Sequence, residues 1–156
     1  MTHGALVYDT LFGRDDALDA QPQMVGRHEI SPDGLTHTMT LRDGLRWHDG
    51  SPVVSQDIVA SVARWGARSS SGRRVMRFTA GIEIVDDRSF KVVLNAPYRQ
   101  LPATLAHPSA VMMRAREART DPNVQVTEAI GSGPFRFVKD QWVPGSKVVY
   151  RKNPDY

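Results

Sequence analysis

The sequence predicts an α+β domain, a mainly antiparallel sheet of hairpins with a few packed helices, and three observations carry that prediction. Leu35, His37, Met39 and Leu41 alternate with Thr36, Thr38 and Thr40, a period of two that marks a half-buried strand. Phe90, Val92 and Leu94 repeat the pattern against Ser89, Lys91 and Val93. Between these strands, Ile58, Val59, Val62 and Trp65 share one face of a helix. A chain of 156 residues, 40% of them hydrophobic, suits one such domain, and it shows no internal repeat and no low-complexity tract.

The elements follow in order. Residues 6–12 place Val7 and Leu11 on one helical face with Tyr8 beside them, so a short buried helix is expected, stopped by Gly13. Residues 13–21 read as a linker poor in apolar side chains, and 24–30 as a weak strand. Ser31-Pro32-Asp33-Gly34 then turns the chain into the first clear strand, which makes a hairpin. Arg42-Asp43-Gly44 and His48-Asp49-Gly50 are further turn signals on either side of Leu45-Arg46-Trp47. A helix is expected from Ser55, with Ser55 as its cap and Asp57 at the positive end of the dipole, ending near Gly66. Ser69-Ser70-Ser71-Gly72 reads as a flexible loop, and 73–80 as a short helix with Val75 and Phe78 inward. In the second hairpin Ile82 and Ile84 lead through the turn at 86–89 into the strand of Phe90. Residues 101–105 give a helical turn or two before Pro108, and 110–130 carry no clear period. A third hairpin is expected, with Phe135 and Phe137 on one face, a turn at Pro144-Gly145, and Val148 and Tyr150 returning.

Composition removes several functions. No stretch approaches the roughly 18 apolar residues of a membrane span, and Met1-Thr2-His3-Gly4 does not open a signal peptide. With no cysteine, disulfides, thiolate catalysis and cysteine-ligated zinc are excluded, while exported and cytosolic settings both remain open. The net charge of +3 is too small to indicate nucleic acid by itself. Its main concentration is Arg64, Arg68, Arg73, Arg74 and Arg77, which reads as a solvated face, with an anion-binding patch as the alternative. A nucleic-acid module would rest on that cluster alone and lacks interleaved exposed aromatics. Arg114, Arg116 and Arg119, mixed with Glu117 and Asp121, read as a mixed-charge surface.

The usual catalytic constellations are missing. His3, His28, His37, His48 and His107 form no i, i+4 pair and have no clustered carboxylates, so no metal site and no cofactor is expected. His37 reads as a hydrogen-bonded core histidine. His48 and Asp49 are adjacent in a turn and point apart, and no nucleophile is placed for acyl transfer, so no catalytic residue is assigned. Gly131-Ser132-Gly133-Pro134 looks like a phosphate loop, but Pro134 removes a donor and a strand follows instead of a helix. A tight entry into the last hairpin with close backbone approach is the better reading. Trp47 and Trp65 point inward and read as structural.

These same residues carry a resemblance. Ile30-Ser31-Pro32-Asp33-Gly34-Leu35, continuing through Leu41-Arg42-Asp43-Gly44-Leu45-Arg46-Trp47-His48-Asp49-Gly50-Ser51-Pro52-Val53 to Asp57-Ile58-Val59-Ala60-Ser61, is similar to the signature of the extracellular solute-binding proteins of peptide and nickel ABC transporters, family 5. Gly131-Ser132-Gly133-Pro134-Phe135, Trp142, Pro144-Gly145 and Arg151-Lys152-Asn153-Pro154-Asp155-Tyr156 resemble its second hallmark, and Tyr8-Asp9-Thr10-Leu11-Phe12 its early helix. The sequence departs from the family at Val54, where a Thr or Ser is usual three residues before the helix-start Asp, and at His28, where an aromatic often precedes the Ser-Pro-Asp-Gly turn.

The resemblance implies part of the periplasmic binding protein-like II fold. It makes residues 1–156 a single domain, a fragment of the N-terminal lobe of a larger two-lobed protein. That protein would be periplasmic and not an enzyme. It would capture a peptide, opine, oligosaccharide or nickel complex by lobe closure and deliver it to an ABC transporter permease. Contact with the membrane would come only through the permease or a lipid anchor absent from this chain. The same sequence in the sensory half of a transcription regulator is the alternative. For ligand contact the resemblance points to His3, Arg77 and Ser109.

Overall fold

Both clear hairpins form, and they lie side by side in one sheet. The computed structural model describes residues 4–156. In chain order these form α1 (Gly4–Val7), β1 (Phe12–Arg14), β2 (Ala20–Pro22), β3 (Val25–Ile30), β4 (Thr36–Leu41), α2 (Ser55–Arg68), α3 (Ser70–Phe78), β5 (Thr79–Ile84) and β6 (Ser89–Leu94). There follow α4 (Leu101–Leu105), α5 (Ala115–Ala118), β7 (Phe135–Phe137), a 3-10 turn at Lys139–Gln141 and β8 (Tyr150–Lys152). The main sheet has the order β3-β4-β6-β5, antiparallel throughout, with Met39 opposite Phe90 and His37 opposite Val92 across its centre. The period-two residues His37, Met39, Leu41, Phe90, Val92 and Leu94 are all buried. Ile58, Val62 and Trp65 of α2 are buried in the same core, so the helix periodicity points as expected.

Several expectations are corrected. The helix at 6–12 stops at Val7, because the Val7 carbonyl that would continue it accepts the Gly133 N–H at 2.9 Å. Leu11 and Phe12 are nevertheless buried, and Phe12 starts a strand. The linker at 13–21 is a β1–β2 hairpin, turned by Asp15, whose carboxylate takes the N–H groups of Ala17 and Asp19 and the Gln21 amide. Ile84 is exposed at the end of an edge strand. Trp142 and Val148 are exposed as well, and β7 and β8 pair over only three residues each.

The cap of α2 differs too. Its N-cap is Val54, which has no side-chain acceptor, and Asp57 reaches back to take the Val54 N–H on Oδ2 at 3.1 Å. Ser55 sits one residue inside the helix, fully buried, with a hydroxyl that has no hydrogen-bond partner among the described residues. Nor is the serine run a loop. α2 continues through Gly66 to Arg68, the chain reverses at an extended Ser69, and α3 begins at Ser70. Gly72 makes this possible, since a Cβ there would lie 2.3 Å from the Trp65 carbonyl oxygen.

Candidate functional site

A concavity lies where three segments meet: the last turns of α2, the first turn of α3, and residues 107–113. Ser61 brings the third segment to the first, its hydroxyl donating to the Met113 carbonyl and accepting the Met113 N–H, both at 2.9 Å. Trp65, on the next turn of α2, donates its indole N–H to Ser109 Oγ at 3.0 Å. The Ser109 hydroxyl also lies 2.8 Å from His107 Nδ1 and 3.3 Å from Ser69 Oγ. His107 Nδ1 accepts the Ser109 N–H at 3.1 Å, so it is the unprotonated ring nitrogen. Indole, imidazole and hydroxyl groups thus converge on a cleft of about 530 Å³ that Arg64 and Arg68 also line. A second concavity of about 400 Å³ adjoins it, sharing Ser70, Ser71 and His107 and adding Arg14 and Arg74.

The cationic side of the cleft is unusual. Arg64 is buried, and its guanidinium donates to the backbone carbonyls of Thr120, Asp121 and Val124 and to the Thr120 hydroxyl. Burial lowers its pKa, and the nearby Arg68 charge lowers it further, with Asp121 opposing them. Arg64 is therefore neither a solvated residue nor a free ligand, but a clamp on the 120–124 segment.

The motif residues outside the cleft are engaged in structure. Asp9 is buried, accepting the Ser132 hydroxyl at 2.8 Å and the Gln23 amide at 2.8 Å. Gly131 lies so close to α1 that a Cβ would come within 1.8 Å of the Val7 carbonyl oxygen, as the close-approach reading expected. His48 holds the same loop, receiving the Gly131 N–H on Nδ1 at 3.3 Å and meeting the Gly133 carbonyl with Nε2 at 2.9 Å. Asp49 turns away to Ser51 and Arg114, which hold its carboxyl down at about 2. Arg114, expected on a mixed-charge surface, is buried between Asp49, Glu117 and Glu128. Asn153 is satisfied on both sides, its amide donating to the Gly133 carbonyl and its oxygen accepting from Arg136. These motifs are turns, caps and clamps.

A family model described as bacterial extracellular solute-binding proteins, family 5 Middle, matches residues 19–156. The chain belongs to that family. Over 155 residues, 99% of its length, this family 5 chain is 44% identical to a probable peptide ABC transporter periplasmic-binding protein, y4tO, of Sinorhizobium fredii, of which it covers 29%. It is 32% identical over 137 residues to the glutathione-binding protein GsiB of Pectobacterium atrosepticum, covering 84% of this chain and 26% of that one. Among solved structures, the periplasmic binding protein AgaA in complex with agropinic acid, from A. tumefaciens R10, superposes with a TM-score of 0.82 at 28% identity, over 98% of this chain and 31% of that one. The chain thus spans about 30% of the length of the proteins it matches, and its α+β architecture is that of family 5.

Within this family 5 chain, Ser109 stands in the cleft. Arg77 is exposed two turns along α3 from Ser70, lines neither concavity, and lends its carbonyl to the Asn95 amide at 3.3 Å. His3 lies outside the described residues. Sequence reasoning missed Trp65 and His107 as cleft residues, and it held Arg68 only as a member of the arginine cluster whose alternative reading was an anion-binding patch. One signal was available for the arginine: residues 58–82 hold five arginines and no Asp or Glu.

Proposed function

We propose that the chain is one wall of the substrate-binding component of an ABC transporter for peptides or related solutes. Under this reading residues 1–156 are a single domain within the N-terminal lobe of a longer, two-lobed periplasmic protein. That protein captures a peptide, opine, oligosaccharide or nickel complex and delivers it to a membrane permease without making or breaking a bond. The observation that carries the reading is the family match through residues 19–156, which runs across the motifs from Ser31 to Tyr156. Of His3, Arg77 and Ser109, Ser109 has the support of geometry, with its hydroxyl at the mouth of the cleft between indole and imidazole.

Capture needs a second wall. A solute held on one face keeps part of its water, and a polar contact in water is worth much less than one shielded from it. Closure of a partner lobe follows as a population shift, because the solute contacts both lobes only in the closed form. Isothermal titration of residues 1–156 and of the intact protein, against a peptide library and Ni²⁺ chelates, tests this. The intact protein is expected to bind and the segment to bind negligibly. Micromolar binding by the segment, about −8 kcal/mol, or none by the intact protein, overturns it.

A further inference from the structure

The geometry points to an anionic solute: the joined cleft beside α3 recognises a carboxylate-bearing ligand through Arg68, Arg74 and Arg14. The inference rests on the receptor reading above and narrows its solute class. Its basis is a charge imbalance. Arg64 and Arg68 line the larger concavity, and Arg14 and Arg74 the smaller one, while neither is lined by an Asp or Glu. Among the described residues none of these four arginines lies within 4.0 Å of a carboxylate, whereas Arg27, Arg88, Arg114, Arg116 and Arg136 all do. Among the described residues every ion-paired arginine lies outside these two concavities.

The four are not equivalent. Arg64 has its hydrogen bonds met by neutral carbonyl and hydroxyl oxygens, and Asp121 offsets its positive charge only from beyond ion-pair distance. Arg68, Arg74 and Arg14 are exposed, so their guanidinium groups are open to a ligand; Arg14 also donates to the Ala103 carbonyl at 3.3 Å. A buried cation beneath exposed ones raises the local positive potential, and a low-dielectric wall focuses it. A carboxylate relieves that repulsion and matches the planar guanidinium fork, which a neutral amide does not. The serine hydroxyls at the same rim are donors as well, which again suits an acceptor-rich anion. The imbalance is also written in the sequence, in the acid-free run from 58 to 82.

The test is titration of the intact receptor with Ala-Glu-Ala, Ala-Gln-Ala and Ala-Lys-Ala, each with a free and an amidated C-terminus, so that a side-chain carboxylate and a terminal one are told apart. Ala-Glu-Ala or the free-acid forms are expected to bind at least about tenfold tighter than their neutral counterparts, with an advantage that shrinks as salt rises. Arg68→Gln and Arg74→Gln should remove most of that advantage and leave the neutral peptide within about threefold, while Arg68→Lys retains part of it. A receptor that binds peptides but ranks the neutral or Lys form first overturns the anionic preference and leaves the receptor reading standing. A receptor that binds none of these peptides and no member of the wider library overturns both. Circular dichroism of each variant separates lost recognition from lost folding.

Discussion

The indole N–H of Trp47 donates to Asp57 Oδ2 at 3.1 Å, joining the turn before Pro52 to the start of α2 inside the protein. The same carboxylate takes the Val54 N–H on Oδ2 and the Ala115 N–H on Oδ1, the latter at 2.7 Å. One side chain thus closes a helix, fixes a buried tryptophan and anchors α5, all at a position almost sealed from water. Asp57→Ala leaves three donors without a partner and is expected to cost about 3–5 kcal/mol. Asp57→Asn keeps one acceptor oxygen and should cost about half as much. Urea midpoints at constant m-value are the measurement; an Asp57→Ala protein as stable as wild type would remove Asp57 from its role as the hub.

Ser55 is the opposite case. Its hydroxyl is fully buried with no partner among the described residues, so Ser55→Ala deletes a desolvated group and should be neutral or stabilising, by up to about 1 kcal/mol. Val54→Thr, one residue earlier, supplies the missing N-cap oxygen and is expected to add about 1 kcal/mol. A thermal melt of the two single variants and the double checks both values. A clear loss of stability in Ser55→Ala would mean that the hydroxyl is satisfied.

The crossing of α2 and α3 separates two glycines. An added Cβ at Gly72 meets the backbone of Trp65 and Gly66, at 2.3 Å from the Trp65 oxygen and 2.9 Å from the Gly66 Cα. Backbone cannot yield as a side chain does, so Gly72→Ala is expected to cost about 2–4 kcal/mol. At Gly66 the neighbour is the Met76 side chain, 2.6 Å away at Cγ, which is flexible. Both glycines lie within helices, so the gain in helix propensity does not separate them and the neighbour does: Gly66→Ala should cost at least about 1 kcal/mol less than Gly72→Ala. Equal costs by chemical denaturation would contradict the packing described for this crossing.

What was legible in the sequence was local. The alternation in β4 and β6, together with the turns before them, is set by neighbouring residues, and both hairpins form where it points. The glycine at 131 announced a close approach that Val7 in fact makes. Long-range convergence left no such trace. Arg114 stands in a mixed-charge run, and nothing near it says that Asp49, 65 residues earlier, will bury it. Ser69-Ser70-Ser71-Gly72 has the composition of a loop, and only the backbone of the preceding helix makes Gly72 a packing residue. In the cleft, Ser109 was found through resemblance, while Trp65 was read as core. It is core, since it is 4% exposed, yet its indole N–H meets Ser109 at the cleft mouth. Burial and site membership coincide there, and a periodic pattern registers only the first.

Three histidines set the response to mild acid. His28 and His37 stack with ring centroids 5.1 Å apart and share a 2.9 Å hydrogen bond, and His48 is held by its two backbone contacts. Burial lowers the pKa of all three, the His28 charge lowers His37 further, and Arg136 adds to the shift at His48, where the Gly133 carbonyl, Asp9 and Asp49 oppose it. A histidine with a depressed folded pKa binds fewer protons folded than unfolded. Its contribution to stability is therefore complete above the unfolded value of about 6.5 and is lost as pH falls below it. The paired carboxylates, such as Asp49, lose theirs only below about pH 4. Stability measured from pH 7.5 to 5 should therefore fall, and His28→Gln should flatten the slope. A flat wild-type profile over that window would show that the histidines protonate without cost to the fold.

Trp65 and Ser109 allow the two roles of the cleft to be measured apart. Trp65→Ala empties a core position and is expected to cost about 3–5 kcal/mol. Trp65→Phe keeps most of the ring and loses the donor, so it reports the indole hydrogen bond at about 1 kcal/mol plus a small packing loss. Ser109 is exposed at the cleft mouth, and in Ser109→Ala water replaces the hydroxyl on the indole N–H, which holds the cost to about 1 kcal/mol. With Trp65→Phe already present, Ser109→Ala has no indole bond left to remove, so the double variant should fall short of the sum by about 0.5–1 kcal/mol. Additive losses would mean that the 3.0 Å contact between them carries no energy. In the intact protein the order reverses if Ser109 faces the solute: Ser109→Ala, the milder change for folding, is expected to weaken solute binding about tenfold. Trp65→Phe, which leaves the hydroxyl free to turn toward the ligand, should change binding by less than about threefold. Titration of the two variants side by side decides between them, and an unchanged Ser109→Ala affinity would assign that hydroxyl to the fold alone.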